Sequence, residues 1–177
     1  MTTLVIETHS TSEPNEAGIA TGWLGGALSR TGRAQAIALG ERRRDDGIER
    51  VVASDLWRSM ETAAIAFQGS VIPLRVDWRL RECDYGALNG APAAELERAK
   101  HLDVPYPGGE SYRDVVARVE SFLDDLRRGW AGKRVLVVSH AAPRLALQHL
   151  LEGTPLEELA DAEFEWQPGW TFRLETS

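Results

Sequence analysis

The chain holds one cysteine, Cys83, in 177 residues. A single thiol excludes an internal disulfide framework and any zinc site built from clustered cysteines. No apolar run approaches the roughly 18 residues that a membrane span needs. The first ten residues, MTTLVIETHS, show no charged segment followed by a long apolar stretch, so no secretory leader is expected. A soluble, reducing, cytoplasmic setting is the expectation, with no membrane partner. Positive charge is also in short supply: 20 Lys and Arg stand against 27 Asp and Glu, for a net charge of -7. Nucleic-acid backbones demand a positive footprint. The one dense basic cluster, Arg42-Arg43-Arg44, is followed at once by Asp45-Asp46, and no nucleic-acid partner is expected. An anionic ligand would need a locally positive site within an acidic protein.

What the chain does have is enough apolar residues, 43% of the total, for one ordinary domain spanning 1–177. At this length a domain buries roughly 70% of the surface of its unfolded chain and needs no metal or disulfide to hold it. Three short β-branched runs, Leu4-Val5-Ile6, Val51-Val52-Ala53 and 135–138, are apolar without polar alternation, the pattern of central strands buried on both faces. A fourth, 71–76, contains Pro73 and belongs nearer an edge. Between them lie helical patterns. Tyr112, Val115, Val116, Val119, Phe122, Leu123 and Leu126 repeat every three or four residues and predict a helix with one apolar stripe. Residues 30–46 predict a second helix, with Ser29 as N-cap, Ala36, Ile37 and Gly40 inward, Arg42 to Arg44 as solvated last-turn charges and Gly47 at its end. A third starts near Asp55, with Leu56, Met60, Ala63, Ala64 and Phe67 on one side, and a fourth runs from about Pro143 to Leu151. Alternation of strand and helix predicts a three-layer α/β/α sandwich on a mostly parallel sheet. Gln167-Pro168-Gly169, within 163–174, adds a C-terminal hairpin or edge strand.

His9 and His140 occupy the same local setting, each directly after a predicted central strand and each beside small residues, Ser10 for the first, Ser139 and Ala141 for the second. The carboxyl ends of strands line the ligand crevice of open α/β sheets. One such histidine is ordinarily a surface residue; the pair reads as a site. The strand at 51–53 leads into Ser54-Asp55-Leu56-Trp57-Arg58, which places Arg58 in the first turn of a helix, where a guanidinium suits a phosphate. Its bland reading is an ion pair with Glu61 or Asp55. In Arg81-Glu82-Cys83-Asp84, either Glu82 or Asp84 fits a proton donor, and composition does not choose between them.

Several segments taken together carry a resemblance: Thr8-His9-Ser10, the 15–22 loop, Leu28 to Ala36, Ser54 to Ala63, Pro107-Gly108-Gly109-Glu110-Ser111 and Ser139-His140-Ala141. In order and spacing the chain resembles the histidine phosphatase superfamily, in its phosphoglycerate-mutase-like branch, over residues 4–150. The resemblance implies that His9 accepts the phosphoryl group, Arg58 clamps its oxygens, His140 is the second histidine of the pocket and Glu82 is the proton donor. It further implies that Thr8, Asn15, Thr21, Gly22 and Ala141 contact phosphate or substrate, and that no metal and no cofactor take part. Such transfer depends mainly on positioning and on positive charge around the equatorial oxygens.

The sequence departs from the family twice. The first motif is Arg-His-Gly in the family and Thr8-His9-Ser10 here, so one of two expected arginines is missing; loss of such a preorganised donor costs about 10²–10³ in rate. Arg81, Arg113 and Arg144 are candidate replacements. Also, the mutases carry basic residues after the acidic one, whereas Glu82 is followed by Cys83-Asp84 and no Lys or Arg comes before Arg98. The resulting expectation is a metal-independent phosphatase acting on a small phosphomonoester through phosphohistidine. The alternatives are a weak or inactive relative that binds a phosphorylated ligand, and, less favoured, a phosphoglycerate mutase.

Overall fold

A computed structural model describes residues 1–162 and 166–175. Its main sheet has five strands in the order β4-β3-β6-β1-β7, where β1 is Thr2–Thr8, β3 Arg50–Ala53, β4 Leu74–Val76, β6 Arg134–Ser139 and β7 Trp170–Leu174. β1, β3, β4 and β6 run parallel, and β7 lies antiparallel along β1. The edge position of β4 follows the proline before it, and its three residues are exposed. At the C-terminus the edge-strand form of the expectation holds; the aromatic segment ahead of the turn falls partly on 163–165, outside the described residues.

Both faces of the sheet are covered. Leu4, Ile6, Val52, Val135 and Val137 point to one side, where they pack with α4 (Tyr112–Gly129) and α5 (Ala141–Glu152). Val5, Val51, Ala53, Leu136 and Val138 point to the other, with Leu39 of α2 (Arg30–Arg43) and Ala63 of α3 (Trp57–Ala66). Successive strand residues face opposite ways, so an unbroken apolar run fills two cores at once. The α4 stripe is buried as its spacing predicts except at Val116, which is partly exposed, and it includes one charge, the buried Arg118.

The α2 expectation needs three corrections. Ser29 does cap the helix, accepting from Gly32 N, but the helix ends at Arg43, short of residue 46. Its buried residues are Gly32, Ala36 and Leu39, while Ile37 is exposed. Gly32 is inward because α2 passes so close to the 9–12 loop that a Cβ there would sit 1.9 Å from the Thr11 carbonyl oxygen. Arg42 and Arg43 are not idle last-turn charges either: both donate to the buried carboxylate of Glu7. In α3, Ala64 is exposed, and the buried face is Arg58, Ser59, Glu61, Thr62 and Ala63, a polar face for which apolar periodicity carries no signal. Three small elements were not foreseen: α1 (Glu13–Glu16), and β2 (Ile19–Ala20), inside the expected 15–22 loop, paired with β5 (Ala91–Pro92). A short helix, α6 (Leu156–Asp161), follows α5.

Candidate active site

β1 and β6 are neighbours in register, with Thr8 opposite Ser139. The residue after each is a histidine, and His9 N donates to the Ser139 carbonyl at 2.8 Å, extending the pairing by one step. Adjacent strands lie about 4.8 Å apart; the His9 and His140 ring centroids are 5.0 Å apart. Strand pairing alone brings the two imidazoles together.

The tautomer of His9 follows from its partners. Nδ1 lies 2.8 Å from the Ser10 carbonyl oxygen, which can only accept, so Nδ1 carries the proton. Nε2 accepts from Arg58 Nε at 3.2 Å. A neutral ring with a lone pair on Nε2 results. Burial, then the Arg58 charge, push the pKa down to about 3, against the bond to Ser10. His140 is fully buried and neither ring nitrogen has a hydrogen-bond partner among the described residues. Burial first, then Arg58 and His9, lower its pKa well below the usual value.

Arg58 is buried at 2% exposure. Instead of pairing with Glu61 or Asp55, it donates to the carbonyls of Gly22 at 2.8 Å and Leu24 at 3.2 Å as well as to His9. Asp55 is taken by Arg81, and Glu61 by Arg33 and the Leu28 amide. The 22–24 turn is thereby fixed to the phosphate-clamp candidate. Gly22 has φ +51, and a Cβ there would meet Asn89 Oδ1 at 1.8 Å, so the turn admits only glycine.

Glu82 is buried, and its carboxylate accepts from Cys83 N at 2.8 Å, Ala142 N at 3.0 Å and Ala141 N at 3.2 Å. It therefore sits against the first turn of α5 and satisfies amides that have no partner within the helix. Of the two carboxylates, Glu82 lines the cavity with His9 and Arg58, while Asp84 accepts from Gly86 N and Asn89 Nδ2 within its own loop. Burial, followed by the Glu82 charge, raises the pKa values of Tyr85 and Tyr112.

Thr8, Asn15 and Ala141 line a cavity of about 540 Å³ with His9 and Glu82. Asn15, Thr21, Gly22, Arg58 and Ala141 line a second, of about 300 Å³, with the same two residues. Asn15 lines both cavities, and its side-chain oxygen accepts from Ser12 N and Oγ. None of the three candidate replacement arginines is held at His9. Arg81 forms a two-bond pair with Asp55, Arg113 pairs with Asp103 on the surface, and Arg144 bonds Gln148 and lies over Trp170.

Sequence reasoning missed the groups that hold the candidates in place. Arg118 Nη2 and Trp23 Nε1 both donate to the Glu82 carbonyl, at 3.0 and 2.7 Å. Thr62 Oγ1 accepts from Ser10 N and donates to the Arg58 carbonyl. Arg118 had a legible signal, a charge in the middle of an apolar helical stripe; Trp23 and Thr62 had none. Among the described residues, no helix is long and apolar enough to cross a membrane, and no cluster of three or more His, Cys, Asp or Glu could hold a metal ion.

With this geometry in view, the class of protein is defined by comparison. The family model for the histidine phosphatase superfamily (branch 1) matches residues 4–171, and the chain belongs to that superfamily. It is similar to the 2,3-bisphosphoglycerate-dependent phosphoglycerate mutase of Methylobacterium sp. (strain 4-46), at 36% identity over 90% of this chain and 85% of the relative. Among solved structures it is similar to Bacillus stearothermophilus YhfR, with a TM-score of 0.88 and 26% identity over 99% of this chain and 96% of that one. Mycobacterial glucosyl-3-phosphoglycerate phosphatase, in complex with VO3, superposes with a TM-score of 0.80 and 29% identity over 89% of this chain and 85% of that one.

Proposed function

We propose that this protein is a metal-independent phosphatase that hydrolyses a small phosphomonoester, and that it works through a phosphohistidine at His9. The observation that carries this reading is the His9 Nε2 lone pair, aimed at Arg58 Nε 3.2 Å away in a cavity that Glu82 also lines. A phosphoryl group taking that space meets a nucleophile already neutral and correctly protonated. Arg58 shifts its donors to the equatorial oxygens, joined by His140 and the Asn15 amide. Glu82 gives a proton to the leaving oxygen, then takes one from the water that frees His9. Thr21, Gly22 and Ala141 border the same cavity and contact substrate. The domain acts as one unit over 1–177, in a reducing cytoplasm.

A second reading has an observation of its own. Thr8 stands where the family has arginine, and Arg81, Arg113 and Arg144 are engaged elsewhere, which favours a member that binds a phosphorylated ligand without turnover. The relatives named mutases raise the third, weakened by Cys83-Asp84 after Glu82. A panel of phosphorylated metabolites assayed in excess chelator, with intact-mass detection of a phosphoenzyme, separates them. Phosphate release with an adduct supports hydrolysis; binding without either supports the second reading; isomerised phosphoglycerate supports the third.

A further inference from the structure

We propose a further activity at this site: hydrolysis of phosphodiesters, with the leaving alcohol in the smaller cavity and the retained substituent in the larger. The inference rests on His9 as the phosphoryl acceptor. His9, Asn15, Glu82 and Ala141 line both cavities, so the reacting centre sits where two compartments meet. The smaller, about 300 Å³, is lined by Arg58 together with Tyr85, Tyr112 and Leu96. The larger, about 540 Å³, runs from Thr8 along Gln35, Ala38 and Arg42 of α2 to Trp166. In an in-line displacement the nucleophile and leaving group are opposite and the other three substituents are equatorial. A phosphomonoester has three equatorial oxygens and needs one compartment beyond them. A second compartment, opening at position 8, has a use when one equatorial oxygen carries an organic group.

Charge points the same way. A phosphomonoester carries about −1.5 to −2 at neutral pH because its second pKa is about 6; a diester has no second proton to lose and carries one charge. The guanidinium in hydrogen-bond contact with His9 is that of Arg58. Arg42, in the larger cavity, is already paired with Glu7. Arg98 lines the smaller cavity with Tyr112 and Leu96, in the compartment of the leaving alcohol. One guanidinium matches a monoanion. Thr8 in place of arginine thus removes surplus charge and opens space in one substitution.

The chemistry balances without a further reactant except water. The His9 Nε2 lone pair forms a P–N bond as the P–O bond to the leaving alcohol breaks, and the Glu82 carboxyl supplies the proton that alcohol needs. Water then gives a proton to the Glu82 carboxylate and attacks phosphorus; the P–N pair returns to Nε2. The products are an alcohol and a phosphomonoester.

The test compares bis(p-nitrophenyl) phosphate with p-nitrophenyl phosphate in excess chelator, using His9→Ala to remove any contaminating activity. The diester is expected to be hydrolysed with a kcat/KM no less than one tenth of the monoester's. Thr8→Arg should lower the diester-to-monoester ratio at least ten-fold through charge and bulk. Ala38→Phe, at an exposed α2 position on the cavity wall, should lower the same ratio at least three-fold through bulk alone, and remains informative if Thr8→Arg fails to fold. Monoester turnover with a His9 adduct and no diester turnover would overturn the further activity while leaving the phosphatase reading intact. So would an unchanged ratio in the folded variants. No turnover of either probe and no adduct would overturn both.

Discussion

Arg58 Nε donates to His9 Nε2 at 3.2 Å, so the lone pair that would attack phosphorus is held by the same guanidinium that would bind the phosphate. The pair keeps the imidazole neutral and aimed. It also means that an incoming anion separates the two: the guanidinium exchanges a neutral acceptor for a charged one, a stronger partner. This exchange links binding to exposure of the nucleophile.

His9→Ala leaves no atom to take the phosphoryl group, and turnover of any aryl phosphate should fall to background. Rapid quench of the wild-type protein should trap an acid-labile, alkali-stable phosphoryl adduct that is absent in the variant. Turnover by the variant at the wild-type rate would exclude the covalent route.

Arg58→Ala should lower kcat by about 10²–10³, the scale for removing one preorganised donor. Because Arg58 also binds the carbonyls of Gly22 and Leu24, KM should rise too. Lysine, a single point charge, cannot replace a fork that reaches three acceptors; Arg58→Lys should recover less than a tenth of the lost kcat/KM. Steady-state kinetics with vanadate inhibition reads both effects.

Glu82 has two tasks that substitutions can separate. Glu82→Gln keeps one oxygen for the Cys83 and Ala142 amides, loses the bond that Oε2 accepts from the Ala141 amide, and should lower the melting temperature less than Glu82→Ala does. It should slow alkyl phosphates far more than aryl phosphates, whose leaving groups need little protonation. Glu82→Ala removes the cap of α5 as well and should cost about 0.5–2 kcal/mol of stability. Equal slowing of both ester types by Glu82→Gln would move the acid elsewhere.

Stability should fall in acid for a reason located at the two histidines. Both are buried neutral, with pKa values below the unfolded value of 6.5, about 3 for His9 and lowered in the same direction for His140. Above pH 6.5 neither state binds the protons, and the groups contribute no pH dependence. Between pH 6.5 and about 3 the unfolded chain binds protons that the folded chain refuses, so unfolding becomes easier as pH drops. Urea midpoints at pH 7 and pH 4.5 should differ, and His140→Gln, which cannot protonate in this range, should narrow the difference. A wild-type midpoint that does not change across that interval would contradict the burial of both rings.

Much of this fold was legible along the chain. Unbroken β-branched runs gave β1, β3 and β6, because a strand covered on both faces has no polar side to show. The three- and four-residue spacing gave α4, and Pro73 gave the edge character of β4. His9, Arg58 and His140 could be picked out by position, since each directly follows or closely follows a strand whose carboxyl end must open onto a crevice. The register of β1 against β6, and with it the 5.0 Å approach of the histidine rings, is a tertiary fact. So is the placement of Glu82, and not Asp84, on the cavity wall. The two carboxylates are separated by one residue and are alike in chemistry; what distinguishes them is that the first turn of α5, some sixty positions away, presents its amides to one of them. The Arg42 and Arg43 pairs with Glu7, the Arg118 grip on the Glu82 carbonyl and the larger cavity beside Thr8 were equally out of sight. Local sequence sets which elements form, through patterns of burial that repeat every two or every 3.6 residues. Long-range packing decides which side chains meet, because contacts between distant residues leave no periodic trace in either partner.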